Sequence, residues 1–295
     1  MITFFTIPKP FDGHSNVIQR NAIKSWTLLS KECEIILFTD DPGAKEIAQE
    51  FGVKCVKTGK KTEYGTPCID DVFLNAQAIA ENNILCFINT DIILLSDFLD
   101  TARRIGQVFD NFLLVGRRID LDVTEPINFH DQWESEMLER TKKDGKLQPN
   151  TLIDYFLFNK GLWQSIPPFA IGRTVWDNWL IYEARRQKAA VIDATCCIHA
   201  IHQNHDYSHI KNGKTGAWKG PEAQQNLKLA EGYRHCFNIG DSNFFLTKNK
   251  KLMPTILKFH LLRRLIVWMI LKPRLMAFID MFYKRKRKVK NITVN

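Results

Sequence analysis

Short apolar runs and amphipathic segments alternate through the first ninety residues of the chain. Strands are predicted where β-branched and aromatic residues cluster, over residues 2–7 (ITFFTI), 34–39 (EIILFT), 53–56 (VKCV) and 85–88 (LCFI). Helices are predicted between them, where apolar residues recur at helical spacing. Strands and helices that alternate through short connections are typical of a mostly parallel sheet with helices on both faces, so the sequence predicts an α/β fold.

Three helices are predicted in this half of the chain. Ser15 is the expected N-cap of the first helix. Residues 44–51 form the second, which Gly52 ends. Thr66 is expected to cap the third, with Pro67 at its first helical position.

The second half of the chain is less regular. Strands are predicted over residues 112–116, 154–158 and 189–192, and helices over 131–142 and 176–187. The polar stretch KKDGKLQP is predicted to be a connection between two of these elements.

Polar residues interrupt the apolar run LCFINTDIIL at Asn89, Thr90 and Asp91. The interruption falls where a buried strand reaches the carboxyl edge of the predicted sheet, and Asp40 follows an earlier strand at the equivalent end. Ligands of open α/β sheets bind outside this edge, and a carboxylate there needs water, a metal or a ligand hydroxyl. A β-turn in which the aspartate caps its own backbone is the alternative at both positions.

Length and composition limit the class of protein. A chain of 295 residues can form one large domain with an appended tail. With 45% apolar and 25% charged residues, it resembles neither a disordered chain nor a polytopic membrane protein. The seven cysteines show no CxxC pair or zinc-site spacing, and are expected to be reduced core residues of a cytosolic protein. The first eight residues lack the basic region of a signal peptide.

The net charge of +9 is unevenly distributed. Residues 248–290 hold fourteen Lys and Arg but one acid, Asp280, a local charge of +13 that leaves −4 for the rest. The sequence therefore predicts one domain over residues 1–247 and a basic tail over 248–295 with a partner of its own. Because a nucleic-acid-binding domain would carry this charge on its folded body, no nucleic-acid partner is expected.

The segment around residue 90 resembles the DxD region of nucleotide-sugar glycosyltransferases with the GT-A fold. The match is Asn89-Thr90-Asp91, after LCFI and before IILL. The segments ITFFTIP, EIILFTDD, the helix from Pro67, DYFLFNKGLW and IGRTVWDNWLIYEA follow the order that such transferases use, over roughly residues 1–210. The resemblance implies a GT-A-like sheet and the transfer of a sugar from a nucleotide-diphosphate donor to a hydroxyl acceptor.

The resemblance also implies roles for single residues. Asp91 would ligate a divalent metal, Mg²⁺ or Mn²⁺, which offsets the charge of the leaving diphosphate. Asn89 takes the place of the first acid of the motif, where it keeps an acceptor oxygen but removes a charge. Asp40 would contact the nucleoside, with a turn cap as the alternative. Asp154 lies where the family places a residue that touches the donor sugar or the acceptor, and is a catalytic candidate.

The stretch Trp176-Asp177-Asn178-Trp179 suits sugar chemistry. Tryptophan faces stack on pyranose rings, while a carboxylate can accept a hydroxyl proton. Asp177 is the candidate general base, which would imply inversion, and Trp176 is a candidate for donor binding. The alternative is an aspartate that complements the helix dipole, flanked by two core tryptophans one turn apart.

Four histidines lie in the segment HAIHQNHDYSH, residues 199–209. By resemblance, His202 or His205 would contact the metal or the diphosphate, and His202 is assigned as a metal ligand with Asp91. A separate zinc site is one alternative, and plain surface histidines are another.

Arginines are the candidates to neutralise donor phosphates, because a guanidinium fork matches phosphate oxygens. They are Arg117, Arg118 and Arg173, with solvated surface arginines as the alternative. The sequence has no GxGxxG or GxxxxGK[ST] loop, which argues against dinucleotide oxidoreductases and P-loop NTPases. A sugar nucleotidyltransferase is disfavoured because residues 8–15 contain one Gly and one Lys rather than a glycine-rich, basic loop.

The basic tail contains apolar runs that Arg263-Arg264 and residues 272–274 interrupt, so none reaches the ~20 residues of a transmembrane helix. Apolar residues at helical spacing, with Trp268 among them, predict an amphipathic helix that lies on an anionic membrane. The sequence thus predicts a cytoplasmic protein at the inner face of a membrane, where polysaccharide biosynthesis offers glycan or lipid-linked acceptors. The alternatives are a helix packed on the catalytic domain, or a non-catalytic protein that binds a membrane surface or nucleic acid.

Overall fold

The chain divides into two compact units, Met1–Thr255 and Ile256–Asn295. The sequence predicted a boundary after residue 247. The computed structural model describes residues 1–41, 43–205, 213–255 and 261–272.

Strands and helices alternate through the first unit. In chain order the strands are β1 (Ile2–Thr6), β2 (Glu34–Phe38), β3 (Lys54–Val56), β4 (Ile84–Ile88), β5 (Ile92–Ile93), β6 (Phe112–Val115), β7 (Arg118–Leu121), β8 (Lys146–Leu147), β9 (Tyr155–Asn159), β10 (Ala190–Asp193), β11 (Ala200–Gln203), β12 (Phe244–Leu246) and β13 (Leu252–Pro254). The helices are α1 (Gly13–Leu29), α2 (Ala44–Phe51), α3 (Ile69–Ile79), α4 (Ser96–Gly106), α5 (Trp133–Asp144), α6 (Trp176–Arg186), α7 (Gly213–Lys219) and α8 (Pro221–Leu229). One further helix, α9 (Leu261–Ile270), is described in the second unit.

Nine strands form one sheet in the order β13-β12-β10-β6-β9-β4-β1-β2-β3. β9 and β13 run antiparallel to their neighbours, and the other adjacent strands are parallel. Consecutive residues of a strand point to opposite faces. Phe4 packs on Trp26 of α1 and Phe98 of α4, whereas Phe5 packs on Phe73 of α3. Helices therefore cover both faces, and the fold is the mixed α/β, GT-A-like architecture that the sequence predicted.

The direction of β9 shapes the carboxyl edge of this sheet. β9 lies between β4 and β6 and is antiparallel to both, so its first residue, Tyr155, is paired with Ile88 at the end of β4. Asn89 and Asp154 meet there, and the backbone N–H of Asn89 donates to the carbonyl of Asp154 at 2.9 Å. The sequence predicted this strand but not its direction, because a strand buried on both faces is apolar whichever way it runs.

A second, smaller sheet has the strand order β5-β11-β7-β8. β11 is parallel to β7 and antiparallel to β5, which places His202 opposite Asp120 and Ile92. The sequence did not predict this sheet, because its strands are two to four residues long and give no extended apolar run. It brings polar segments that are far apart in the chain to one place.

The third helix starts later than predicted. α3 begins at Ile69, with Cys68 at the cap position. The carbonyl of Thr66 instead accepts from the N–H of Thr62 at 2.8 Å and closes a turn, so the predicted cap at Thr66 is wrong. The first helix likewise begins upstream of its predicted cap. Capping residues are also turn residues, and here the turn forms.

Candidate active site

A cavity of about 700 Å³ opens at the carboxyl edge of the large sheet. Its walls come from the segments that follow β1, β2 and β4, from the start of β9, from the loop that leads into α6, and from β11. Among the described residues, Arg117 is the predicted site residue that does not line it. The predicted site residues that do are Asp40, Asn89, Asp91, Arg118, Asp154, Arg173, Trp176, Asp177, His202 and His205.

Asp91, His202 and His205 bring three possible metal-ligand atoms within 4.8 Å of one another. Asp91 Oδ2 lies 3.0 Å from His205 Nε2 and 3.9 Å from His202 Nε2. The other carboxylate oxygen, Oδ1, is buried and has no hydrogen-bond partner among the described residues. Burying such an oxygen without a partner is unfavourable. The three side chains therefore fit a divalent cation.

Gln203 fixes the backbone segments that carry these side chains. It lies between the two histidines and is fully buried, and both its backbone N–H and its side-chain amide donate to the carbonyl of Asp91, at 3.1 and 3.2 Å. The same amide donates to the carbonyl of Ile18, and its oxygen accepts from Asn21 Nδ2. The end of β11 is thereby tied to the residue that follows β4 and to α1.

The electrostatics of the cluster favour a cation. Burial acts to raise the pKa of Asp91, but the charge of His202 and the hydrogen bond to His205 outweigh it and hold that pKa well below its usual range. Burial acts to lower the pKa of His202, yet Asp91 and Asp120 raise it overall. The site therefore stabilises positive charge beside Asp91, whether a proton or a metal carries it.

A chain of charged contacts links this cluster to β9. Asp120 Oδ1 lies 3.2 Å from His202 Nδ1 and 2.8 Å from Arg118 Nε. Arg118 Nη1 lies 3.1 Å from Asp154 Oδ2, and Asp154 Oδ1 accepts from Asn89 Nδ2 at 2.6 Å. Because these side chains are buried or half-buried, removing one leaves its neighbour poorly compensated.

Asn89 plays a part that the aspartate of a full DxD motif could not. Its amide donates to Asp154, whereas a carboxylate in this position has no hydrogen to donate. Two carboxylates in contact would repel, and one of them would have to take up a proton. Asparagine therefore suits a site in which Asp154 pairs with Arg118.

Asp177 lies in the first turn of α6 and lines the cavity. Burial, reinforced by the charge of Asp154, raises the pKa of Asp177 to about 7. Its Oδ1 accepts from the N–H of Asn178 at 2.9 Å. A carboxyl group that titrates near neutral pH is suited to general base catalysis.

The two tryptophans that flank Asp177 are core residues. Trp176 is 5% exposed and packs on two buried phenylalanines, with ring centroids at 5.5 Å. Trp179 packs against a third phenylalanine at 5.3 Å. Trp218 near the end of α7 is different, since it lines the cavity and is 56% exposed. The aromatic face that is open to a ligand is thus one that the sequence pattern did not single out.

Asp40 follows β2 and forms an ion pair with Lys61. Lys61 Nζ donates to both of its carboxylate oxygens, at 2.8 and 3.0 Å, and Thr58 Oγ1 donates to Oδ1 at 3.2 Å. The hydrogen bond from Lys61 lowers the pKa of Asp40. Asp40, Thr58 and Lys61 all line the cavity, so a ligand at this end meets a polar pair rather than a lone acid.

The predicted arginines differ in their surroundings. Arg173 Nε donates to Glu222 Oε2 at 2.8 Å, and Thr62 Oγ1 donates to Glu222 Oε1 at 2.7 Å. Glu222 of α8 thus ties two loops of the cavity wall together and offsets the charge of Arg173. The guanidinium of Arg117 donates instead to the carbonyl of Gln148.

The remaining histidines do not extend the cluster. His199 pairs with Asp97, with Nδ1 and Oδ2 2.5 Å apart, and neither residue lines the cavity. His209 lies outside the described residues. In the part of the chain that the structure describes, Asp91, His202 and His205 are the one group of His, Cys, Asp and Glu arranged to hold a metal.

Lys9 and Asp120 are among the charged residues of the site that the sequence analysis missed. Lys9 lines the cavity, and its Nζ lies 3.3 Å from His205 Nε2. A lysine between two prolines gives no local signal for such a contact. Asp120 lies on β7, and the alternation of apolar and charged residues in RIDL was the signal available for it.

The tail over residues 248–295 was predicted to bind a membrane. Over the described ranges, no helix has both the length and the apolar character to cross one. α9 spans ten residues, among which Leu265 and Trp268 are more than half exposed. The predicted basic segment after residue 272 lies outside the described residues.

No family model matches the chain, and no curated protein matches its sequence. Among solved structures, S. aureus TarS 1-349 is 12% identical, with a TM-score of 0.41 over 69% of this chain and 57% of that fragment. That fragment has also been solved in complex with UDP-GlcNAc. A proposed nucleotide-diphospho-sugar transferase from Desulfovibrio desulfuricans G20 is 11% identical, with a TM-score of 0.41 over 78% of this chain and 96% of its own. A mycobacterial protein is 12% identical, with a TM-score of 0.47 over 80% of this chain and 74% of its own.

This chain thus spans a little over half of the TarS fragment. At these TM-scores the likenesses carry no argument about function. The fold assignment rests on the order and direction of the strands, and function has to be argued from the site.

Proposed function

We propose that this chain is a glycosyltransferase that moves a sugar from a nucleotide-diphosphate donor to a hydroxyl acceptor, with a divalent metal held by Asp91, His202 and His205. The observation that carries the proposal is the buried, unpartnered Oδ1 of Asp91 beside two imidazoles in the cavity. A divalent cation bound there would offset the negative charge of the leaving diphosphate.

The charges around this cluster support joint binding of metal and donor. With imidazoles neutral as metal ligands, the described carboxylates of Asp91, Asp120 and Asp154 and the described cations of Arg118 and Lys9 sum to one negative charge. A divalent cation reverses that sign and makes this wall of the cavity attractive to a diphosphate. Donor binding is therefore expected to depend on the metal.

The donor would lie along the carboxyl edge of the sheet, where ligands of such sheets bind. We assign the nucleoside to the end formed by Asp40 and Lys61. The diphosphate is assigned to the middle, near the Asp91 cluster and the guanidinium of Arg118. Arg173, which Glu222 offsets, is assigned to the wall rather than to a phosphate contact.

Asp177 is proposed as the general base that removes the proton from the acceptor hydroxyl. With a pKa of about 7 it is substantially ionised at neutral pH and still basic enough to accept a proton. A base that acts on the attacking hydroxyl implies inversion at the anomeric carbon. Both oxygens of Asp154 contact neighbouring side chains, which supports a role in positioning Arg118 rather than in the reaction itself.

The acceptor is proposed to be a glycan or a lipid-linked sugar. Trp218 supports this assignment, because it lines the cavity with an exposed face of the kind that packs on sugar rings.

We also propose that the second unit attaches the protein to an anionic membrane. Support comes from the basic sequence of the tail and from the exposed Leu265 and Trp268 of α9. Co-sedimentation of the full chain with vesicles tests this: it should require anionic lipid and weaken with salt. Equal binding to neutral vesicles, or none to either kind, would contradict it.

Thermal shift of the purified full chain tests the enzymatic proposal. UDP, GDP, CDP and their sugars are each added with and without Mn²⁺, because a ligand that binds only the folded state raises its melting temperature. One nucleotide should raise it, and only when the metal is present. Asp91→Asn should abolish the effect. Asp97→Asn, which alters an aspartate-histidine pair outside the cavity, is the matched control and should respond like the wild type. No shift with any nucleotide would overturn the proposal.

A further inference from the structure

His202 lies between two carboxylates, and one of them does not belong to the proposed ligand set. Its Nε2 is 3.9 Å from Asp91 Oδ2, while its Nδ1 is 3.2 Å from Asp120 Oδ1. Asp120 and His202 are direct partners in the parallel register of β7 and β11. Side chains of partnered residues project from the same face of a sheet, so the backbone register itself brings the carboxylate to the ring.

The carboxylate of Asp120 bears on which ring nitrogen is available to a metal. His202 Nδ1 and Asp120 Oδ1 lie 3.2 Å apart, although neither atom makes a hydrogen bond among the described residues. The negative charge of Asp120 favours a proton on Nδ1, which leaves the lone pair on Nε2, the nitrogen on the side of Asp91. Metal-binding histidines commonly share their second nitrogen with a carboxylate, which fixes the tautomer and strengthens the imidazole as a ligand. His202 is buried, so the packing around it restricts the ring to this orientation.

We propose that Asp120 is a positioning residue that orients His202 for a two-histidine, one-carboxylate centre, and that this centre selects transition-metal ions over Mg²⁺. The inference rests on the proposed function only for the presence of a metal. It makes no use of the identity of the nucleotide or of the sugar.

The donor set is the reason for the selectivity. Mg²⁺ prefers oxygen ligands in near-ideal octahedral geometry and retains several waters. Imidazole nitrogens bind transition-metal ions more strongly, with affinity rising from Mn²⁺ to Co²⁺. Two nitrogens and one carboxylate oxygen leave positions open for oxygens of a ligand, as a diphosphate would supply.

Asp120 also contacts Arg118, whose Nε lies 2.8 Å from the same Oδ1. A change at Asp120 could therefore act on phosphate binding through Arg118 rather than on the metal through His202. Asp120→Asn keeps an oxygen near Arg118 and removes the charge that holds the proton of His202. Metal affinity measured without any nucleotide separates the two effects.

Calorimetric titration of the full chain with Mg²⁺, Mn²⁺ and Co²⁺ is the test. The wild type should bind Co²⁺ more tightly than Mn²⁺, and Mg²⁺ at least about tenfold more weakly than Mn²⁺. Asp120→Asn should weaken Co²⁺ binding about 10–100-fold. Asp97→Asn, which alters the other aspartate-histidine pair, should leave it unchanged. Unchanged Co²⁺ affinity in Asp120→Asn, or Mg²⁺ bound as tightly as Mn²⁺, would overturn the inference.

A spectroscopic measurement on the wild type covers the case in which Asp120→Asn does not fold. Pulsed electron paramagnetic resonance of the Mn²⁺-loaded protein should show coupling to two imidazole nitrogens, and coordination by oxygen alone would overturn the inference. If the nitrogens are seen but no nucleotide shifts the melting temperature, the centre stands and the transferase proposal fails. If nucleotides bind but the metal shows no nitrogen ligands, the transferase proposal stands and the proposed metal centre fails.

Discussion

Replacing Asp177 with asparagine should strongly lower activity and yet stabilise the protein above neutral pH. Burial raises the pKa of Asp177 from its ordinary 3.8 to about 7. Between these values the folded state keeps a proton that the unfolded chain has released, so stability falls as the pH rises through this window and stays reduced above it. Asparagine has no proton to lose, and its oxygen can still accept from the N–H of Asn178.

The size of the effect follows from the two pKa values. A carboxyl pKa of about 7 in place of 3.8 corresponds to about 4 kcal/mol of unfolding free energy. Because part of the side chain reaches solvent in the cavity, we expect about 2–3 kcal/mol in practice. The unfolding free energy of Asp177→Asn should exceed that of the wild type by this amount at about pH 8. At about pH 4 the two free energies should agree within about 0.5 kcal/mol.

Urea unfolding at several pH values measures these free energies, and initial rates across the same range give the activity. The wild-type rate should rise with pH to a plateau above about pH 7, and Asp177→Asn should lower the rate about 10²–10⁴-fold. Asp100→Asn, at an exposed carboxylate on α4, should leave both profiles unchanged. Parallel stability curves for the wild type and Asp177→Asn would refute the raised pKa, and a fully active variant would refute the role as base.

Three further substitutions test other parts of the site. Asn89→Asp sets a second carboxylate against Asp154, so we expect a loss of about 1–3 kcal/mol in unfolding free energy that acidification relieves, and a pH-independent loss would contradict this. Asn226→Ala removes a buried amide that hydrogen-bonds three backbone groups in the loop before α6. It should lower the unfolding free energy, measured in urea, by about 2–4 kcal/mol, whereas the control Asn75→Ala at an exposed position should lower it by under about 1 kcal/mol. Trp218→Ala should cost under about 0.5 kcal/mol and preserve the donor-induced thermal shift, but raise the acceptor KM severalfold; an unchanged KM would exclude Trp218 from the acceptor site.

The parallel half of the sheet was predictable because local signals and tertiary environment agree there. β1 and β2 are apolar runs long enough to be buried on both faces. α2 has the predicted bounds, since it ends at Gly52, whose positive φ of 65° favours glycine. When strands and helices alternate in this way, the strands are parallel, and the residues at their carboxyl ends necessarily lie along the same edge of the sheet. That topological fact, rather than any motif, explains why most predicted site residues line one cavity.

The pairing of side chains within the cavity could not be predicted from such patterns. Asp120 and His202 meet only because two short strands pair in one particular register, and the alternation in RIDL does not specify which strand β7 pairs with. Trp176 shows how one pattern can serve two environments. Tryptophan beside an acid suggested a sugar platform, and Trp176 lines the cavity, but the same spacing also packs both tryptophans of that helix into the core. Sequence supplied the chemical groups, and long-range register decided which of them face a ligand.

Asn89 shows how a departure from a linear motif can be understood through its neighbours. Compared with a DxD sequence, asparagine removes a charge and predicts weaker metal binding. In the structure, its amide lies against Asp154, which pairs with Arg118, which in turn contacts Asp120 beside His202. An aspartate at 89 would disturb this series of polar and charged contacts at its first contact. In the proposed metal centre, His205 would supply a ligand that does not depend on residue 89, and would so compensate for the carboxylate that asparagine lacks.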